Sequence, residues 1–248
     1  LGPPVRVFMM GGGDGHRAAN GRLNHGGRWL DADCWPPKGS QPTPYYLHEG
    51  GRLSPQKPAE AQSSRTFRYD PRNTVSSNGR CIIAYGPASG LGFGGMGPRD
   101  QIELETLPGH GTPGKPIAQR ADVLVYQTAP LAADVCIAGN IMVQLHVASD
   151  APDTDFFVKL LDVHAPSEDY PAGYAFPVSE GILRARYRDS FEKPELMKPK
   201  ENYLLRFPLE PSEHRLCQWT AGDPRRVLRG RRGPARADRR YGPGSEDN

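Results

Sequence analysis

Short apolar runs, rich in β-branched and aromatic residues and separated by Pro, Gly, Asn and Ser, recur along the chain as far as about residue 210. That punctuation predicts strands joined by turns, the pattern of a β-sandwich or barrel. Residues 5–10 (VRVFMM) read as a buried strand stopped by Gly11, Gly12 and Gly13, and residues 14–43 read as irregular. Short strands are expected at 45–48, 66–69, 81–85 and 122–127. Over 141–147 the alternation is clean, with Ile141, Val143, Leu145 and Val147 on one face and Met142, Gln144 and His146 on the other. This is the period-two signature of a strand with one buried face. Residues 155–163 (DFFVKLLDV) are expected to pair with it as an antiparallel neighbour across the turn at 149–153. Residues 180–188 and 203–209 continue the series, and 191–197 is the one helical candidate, held to a turn or two by Pro194. The expected class is all-β and antiparallel, with two packed sheets.

Composition narrows the alternatives. The 29 Gly and 26 Pro exclude a helical bundle, because these residues cost roughly 1 and 3 kcal/mol in a helix interior. No uncharged apolar run approaches the ~18–20 residues of a membrane-spanning helix, so no membrane partner is expected. The formal charge of +3 is unevenly placed. Residues 215–248 carry nine Arg against four acids, a charge of +5, whereas residues 1–214 carry 22 basic and 24 acidic side chains, a charge of −2. The Arg-rich segment lacks the aromatic interleaving of a nucleic-acid binder, and no nucleic-acid partner is expected. Cys34, Cys81, Cys136 and Cys217 follow no metal-binding spacing, and they read as reduced, structural thiols. Leu1 is not an initiator Met, and the chain reads as a piece of something longer.

Candidate chemistry reduces to bland readings. A nucleophile elbow would need Gly-x-Ser-x-Gly; Ser89 has Pro87 where the first Gly should stand. The run from Gly92 through Gly94 to Gly97 matches a dinucleotide-binding fingerprint, but Pro98, Arg99 and Asp100 follow where a helix should begin, so it reads as a Gly-rich loop and no cofactor is expected. Asp150, Asp153 and Asp155 could supply oxygens to a cation, yet between two strands they read as an Asx-type turn, and no metal ligand is assigned. His16, His25 and His110 are expected to be solvated, and His146 and His164 to lie at the surface or half-buried.

At the level of whole segments the chain resembles a known family. The strings at 4–13, 35–54, 69–73 (YDPRN), 97–101 (GPRDQ), 122–141, 149–163 and 180–199 resemble, in order, the C-terminal part of the CocE/NonD serine hydrolases, which include esterases, X-Pro dipeptidyl-peptidases and acylases. The resemblance implies a jelly-roll-like, galactose-binding-domain-like β-sandwich over residues 1–214. It further implies that the Ser-Asp-His triad lies on an upstream α/β-hydrolase domain, the expected partner. No catalytic, cofactor-binding or metal-binding residue is therefore carried onto this chain, and the domain alone is expected to be inactive.

The resemblance stops at Glu213 and His214, where the family would continue into further strands. Codons for 216–219 read one base further on permit residues close to the missing family strand, which points to a shifted reading frame. Residues 215–248 are accordingly expected to be disordered or to belong to no fold, leaving the sandwich without its last strands. The alternative is a free-standing ligand- or carbohydrate-binding sandwich, for which Trp29, Trp35, Tyr45 and Tyr46 are the candidate aromatic platform.

Overall fold

The alternation along 141–147 shows how the core is built. In the computed structural model this segment is strand β7 (Met142–Val147), and Leu145 and Val147 are buried while Met142, Gln144 and His146 are exposed. The structure describes residues 2–59, 64–76, 78, 99–105 and 111–210, together with the backbone of 212–216 and 227–232. Twelve strands occur among them. They are β1 (Val5–Gly11), β2 (Arg28–Ala32), β3 (Tyr46–Leu47), β4 (Leu53–Ser54), β5 (Leu124–Gln127), β6 (Val135–Gly139), β7, β8 (Asp155–His164), β9 (Tyr174–Arg184), β10 (Tyr203–Pro208), β11 (Ser212–Leu216) and β12 (Val227–Arg232). Three single 3-10 turns complete the regular structure, and no α-helix occurs among the described residues.

The strands form two four-stranded sheets, ordered β2-β1-β11-β6 and β5-β12-β8-β9, and two ribbons, β10-β7 and β3-β4. Pairing is antiparallel except between β1 and β11, which run parallel. The all-β, antiparallel class read from the apolar pattern is thus the observed one.

Two apolar clusters join the layers. Leu145 and Val147 of β7 and Leu205 and Phe207 of β10 meet Phe156 and Val158 of β8 and Leu183 of β9. Leu124 and Tyr126 of β5 meet Leu53, with Val135 and Ile137 of β6 against them. Here the structure corrects the expected pairing of 141–147 with 155–163. β7 pairs with β10, and β8 pairs with β9 and β12. Residues 149–153 therefore form an arch from one layer to the other, because β7 and β8 bury their apolar faces in the same cluster. The arch is tied down by Lys200 N–H donating to Ser149 O and Met197 N–H donating to Pro152 O, both 2.7 Å.

Other differences are local. Neither β2 nor β6 is expected from the apolar pattern. Residues 66–69 are not a strand, and 81–85 lie outside the described residues. The strand expected at 180–188 runs instead from Tyr174 to Arg184 and passes into a 3-10 turn at Ala185–Tyr187. Its alternation is broken by a bulge: Leu160 pairs with Ser179 and Leu161 with Pro177, which leaves Val178 as the extra residue. Residues 191–197 are not helical. In the Arg-rich segment expected to lie outside any fold, Val227–Arg232 is a strand between β5 and β8. Ladder hydrogen bonds use only backbone groups, so an arginine-rich segment can complete the pairing between two strands.

The face assignment can be tested at β10. Leu205 is fully buried and its neighbour Leu204 is partly exposed. Leu205→Ala should lower stability by about 2–5 kcal/mol, and Leu204→Ala by no more than about 1 kcal/mol, as read from urea melts.

Candidate functional site

Strand β8 reads DFFVKLLDVH, apolar on both faces apart from its charges, as expected of a strand covered on both sides. Its inner face packs on the core, and its outer face carries Lys159, which is completely buried. The Lys159 ammonium lies 3.2 Å from Glu180 Oε2 on the register-paired residue of β9 and donates to Gln101 Oε1 at 2.9 Å. Gln101 Nε2 donates to the carbonyls of Asn78 (2.5 Å) and Arg99 (3.0 Å). Asn78 Nδ2 in turn donates to the carbonyls of Asp100 and Ile102. Segment 99–103 is thereby pinned across the outer face of β8 and β9.

A second cluster holds the far end of that segment. The Arg120 guanidinium grips Asp122 through Nε and Nη2, both 2.8 Å, and donates from Nη1 to Glu103 Oε1 at 2.6 Å and from Nη2 to Asn73 O at 2.7 Å. Burial raises the Glu103 carboxyl, but hydrogen bonds from Arg120 and from the Thr112 and Gly111 N–H groups outweigh it and hold it below its ordinary range. Arg120 is held protonated chiefly by its hydrogen bonds to Asp122, with burial opposing them. Asp100 accepts the Ala175 N–H of β9 at 2.8 Å. Burial raises its carboxyl above the ordinary value against the backbone N–H bonds of Ala175 and Gln101. Tyr174 is pushed up to about 12, by burial first and then by the Asp100 charge.

The loop between β1 and β2 is fastened to the tip of the β8–β9 hairpin. Asp169 Oδ2 accepts from the Arg17 N–H at 2.9 Å and meets His16 Nδ1 at 3.1 Å, and the Arg17 guanidinium lies over the Tyr170 ring. Beneath the loop, His164 is buried, its Nε2 3.6 Å from Asp162 Oδ2. It is therefore buried more deeply than the surface or half-buried position expected of it. A Cβ on Gly15 would fall 2.9 Å from the His164 ring, so the loop closes over this histidine backbone-first.

The remaining candidates separate. Asp153 pairs with Arg186 and Asp155 with Arg184, and the Ala151 N–H is accepted by Ser149 Oγ rather than by an aspartate. His25 is half-buried against Phe176, His48 meets Gln56 O, and His146 is exposed. Ser89, Gly92, Gly94, Gly97 and His110 lie outside the described residues, as do Cys81 and Cys217. Cys34 and Cys136 are free and exposed, not buried as structural thiols would be. The proposed platform divides: Tyr45 packs on the Leu53–Leu124–Tyr126 cluster, Tyr46 pairs with Ser54 and Trp35 is half-buried. Only Trp29 of the four stands exposed, against Phe8.

The charged network draws on the strings that carried the resemblance. Asn73 comes from YDPRN, Asp100 and Gln101 from GPRDQ, Lys159 and Asp162 from DFFVKLLDV, and Glu180 from the segment at 180–199. The sequence profile of the X-Pro dipeptidyl-peptidase C-terminal non-catalytic domain matches residues 2–218. The chain belongs to this family. Cocaine esterase of Rhodococcus sp. (strain MB1 Bresler) is 31% identical over 209 residues, covering 81% of this chain and 29% of the esterase. Among solved structures, an aminopeptidase from a marine sediment Thaumarchaeota archaeon superposes with a TM-score of 0.65 at 24% identity, covering 89% of this chain and 32% of the other. An alpha-amino acid ester hydrolase superposes with a TM-score of 0.63 at 25% identity, covering 84% and 32%. The chain spans less than a third of the length of each of these relatives.

Sequence reasoning missed Lys159, Glu180, Gln101, Asn78, Glu103 and Arg120. One signal was available: a lysine inside an otherwise apolar strand marks a buried charge in need of partners.

Two tests follow from this network. Arg120→Ala strands the buried Glu103 carboxylate and should cost about 3–5 kcal/mol in a denaturant melt. Because the Asp100 carboxyl is raised in the folded chain, the folded state holds more protons than the unfolded one just above the ordinary carboxylate range. The stability from this group is therefore greatest in acid and declines as pH rises through its folded value. Asp100→Asn, which keeps an acceptor for Ala175, should gain on the native chain between pH 4 and 7 in melts at stepped pH. A constant difference across that range would refute this reading.

Proposed function

We infer that this family domain is the jelly-roll-like C-terminal β-sandwich of a CocE/NonD-type serine hydrolase. In this reading the Ser-Asp-His triad belongs to an α/β-hydrolase domain that precedes it, and the sandwich helps shape that domain's substrate cleft. The parent enzyme splits ester or amide bonds through an acyl-enzyme intermediate, and the sandwich alone performs no hydrolysis. The match of residues 2–218 to a domain described as non-catalytic carries the reading. The names of the relatives (an esterase, an aminopeptidase and an ester hydrolase) support acyl transfer to water as the parent chemistry.

The Arg-rich segment beyond the family match, which ends at residue 218, is assigned to a shifted reading frame, with its Val227–Arg232 stretch pairing between β5 and β8; an unbroken frame through a homologous tail, on sequencing the gene, would refute this assignment. A second reading, a carbohydrate-binding module, draws on the exposure of Trp29 alone.

Assay of the purified chain with a p-nitrophenyl ester should give no turnover above buffer. Turnover abolished by a serine-directed inhibitor would overturn the proposal.

A further inference from the structure

Arg120, Arg184 and Arg186 hold their carboxylates with guanidinium groups, which stay charged and do not act as nucleophiles. Lys159 differs in kind. It is the one buried lysine among the described residues, and a primary amine that gives up its proton becomes a nucleophile. Two further groups share its water-free site, the Glu180 carboxylate and the Gln101 carboxamide, both 3% exposed. An amine, an amide and a carboxylate sealed together are the two reactants and the proton carrier of an amide exchange.

The carboxamide is held in one orientation. The carbonyls of Asn78 and Arg99 accept only from Gln101 Nε2, at 2.5 and 3.0 Å, so Oε1 is the atom that meets Lys159 Nζ, at 2.9 Å. The amide carbon lies one C=O bond, about 1.2 Å, behind Oε1, which puts Nζ no more than about 4.1 Å from it; a near-attack contact needs about 3–3.5 Å. Rotation at the end of the lysine side chain closes that difference. Nζ also lies 3.2 Å from Glu180 Oε2, an oxygen that accepts no hydrogen bond from any described residue and so has a lone pair open to the lysine's proton. The register of β8 on β9 keeps Lys159 and Glu180 opposite one another.

We propose that Lys159 and Gln101 join in an isopeptide bond, with Glu180 as the general base. Glu180 takes one proton from the Lys159 ammonium, and the neutral Nζ attacks Gln101 Cδ. As the Nζ–Cδ bond forms and the Cδ–Nε2 bond breaks, Glu180 passes its proton to Nε2 and receives the second proton of Nζ. Nε2 leaves as ammonia. A neutral amide and a neutral carboxylic acid remain where an ammonium and a carboxylate stood. Nothing is oxidised or reduced, and no further reactant enters. The reaction is driven by relief of the desolvation that a buried ion pair bears and a neutral amide escapes, and by dilution of the ammonia into water. Residues 58 apart in sequence are brought to this distance by the fold, which supplies the effective concentration. The bond makes permanent the hold of segment 99–103 on β8.

Intact-mass spectrometry of the full chain, on the fraction that elutes as a folded monomer, tests this. The mass should lie about 17 Da below that of the sequence, the loss of one ammonia, and a digest should yield a peptide joining Lys159 to Gln101. Chain held in urea throughout should keep its full mass, since the three groups meet only in the fold. Glu180→Gln leaves the amine against the amide and removes the base, so its folded fraction should also keep its full mass. Full mass in the folded native chain, with Lys159 and Gln101 in separate peptides, would overturn the proposal and leave an ion pair only. A loss of ammonia mapped to a succinimide at Asn20–Gly21 would overturn it as well. The same cross-link in Glu180→Gln would overturn the role given to Glu180.

Discussion

The ion pair between Lys159 and Glu180 is the constraint on which the rest of the molecule depends. Both groups are sealed from water on the outer face of a sheet whose inner face is already apolar core. Charges in such a position cost several kcal/mol each unless paired and hydrogen-bonded. Cross-strand pairing of β8 with β9 supplies one partner, and Gln101 the other. Satisfying Lys159 therefore sets the register of two strands and brings a distant segment over them. Gln101 and Asn78 then fix the backbone of that segment, Asp100 sews it to Ala175, and Arg120 clamps its far end through Glu103.

The outcome is a sheet with two unlike coverings, packed hydrocarbon inside and a lattice of charges and amides outside. Such a lattice gains its stability only when complete, because each group left unpaired is costly. Asp100, Gln101 and Lys159, all from the family strings, hold segment 99–103 to β8 and β9.

Legibility in the sequence followed the range of the interaction. β7 and β10 could be read because alternation of side chains reports which face is buried, and the burial of Leu145, Val147, Leu205 and Phe207 agrees with it. β9 was harder, since its bulge and Pro177 break the alternation. β2 was hidden because its exposed Arg28, Trp29 and Asp31 do not read as a strand until Phe8 lies beside them. His164 reads as no deeper than half-buried because nothing local announces the glycine loop that closes over it.

By itself the sequence determined the all-β class, the positions of most strands and the kinship to the hydrolase family, through turn chemistry, periodicity and long matching strings. Those properties depend on residues near one another in the chain or on their order along it. Only the tertiary structure decided that β7 and β8 face each other across the core instead of pairing, and that Lys159, Gln101 and Glu180 form one buried network. It also placed Trp29 against Phe8 and not with Tyr45. Backbone hydrogen bonds are the same for every residue and cannot choose a partner strand. That choice is made by the packing of apolar faces and the need to satisfy each buried charge, and both exist only once the chain has folded.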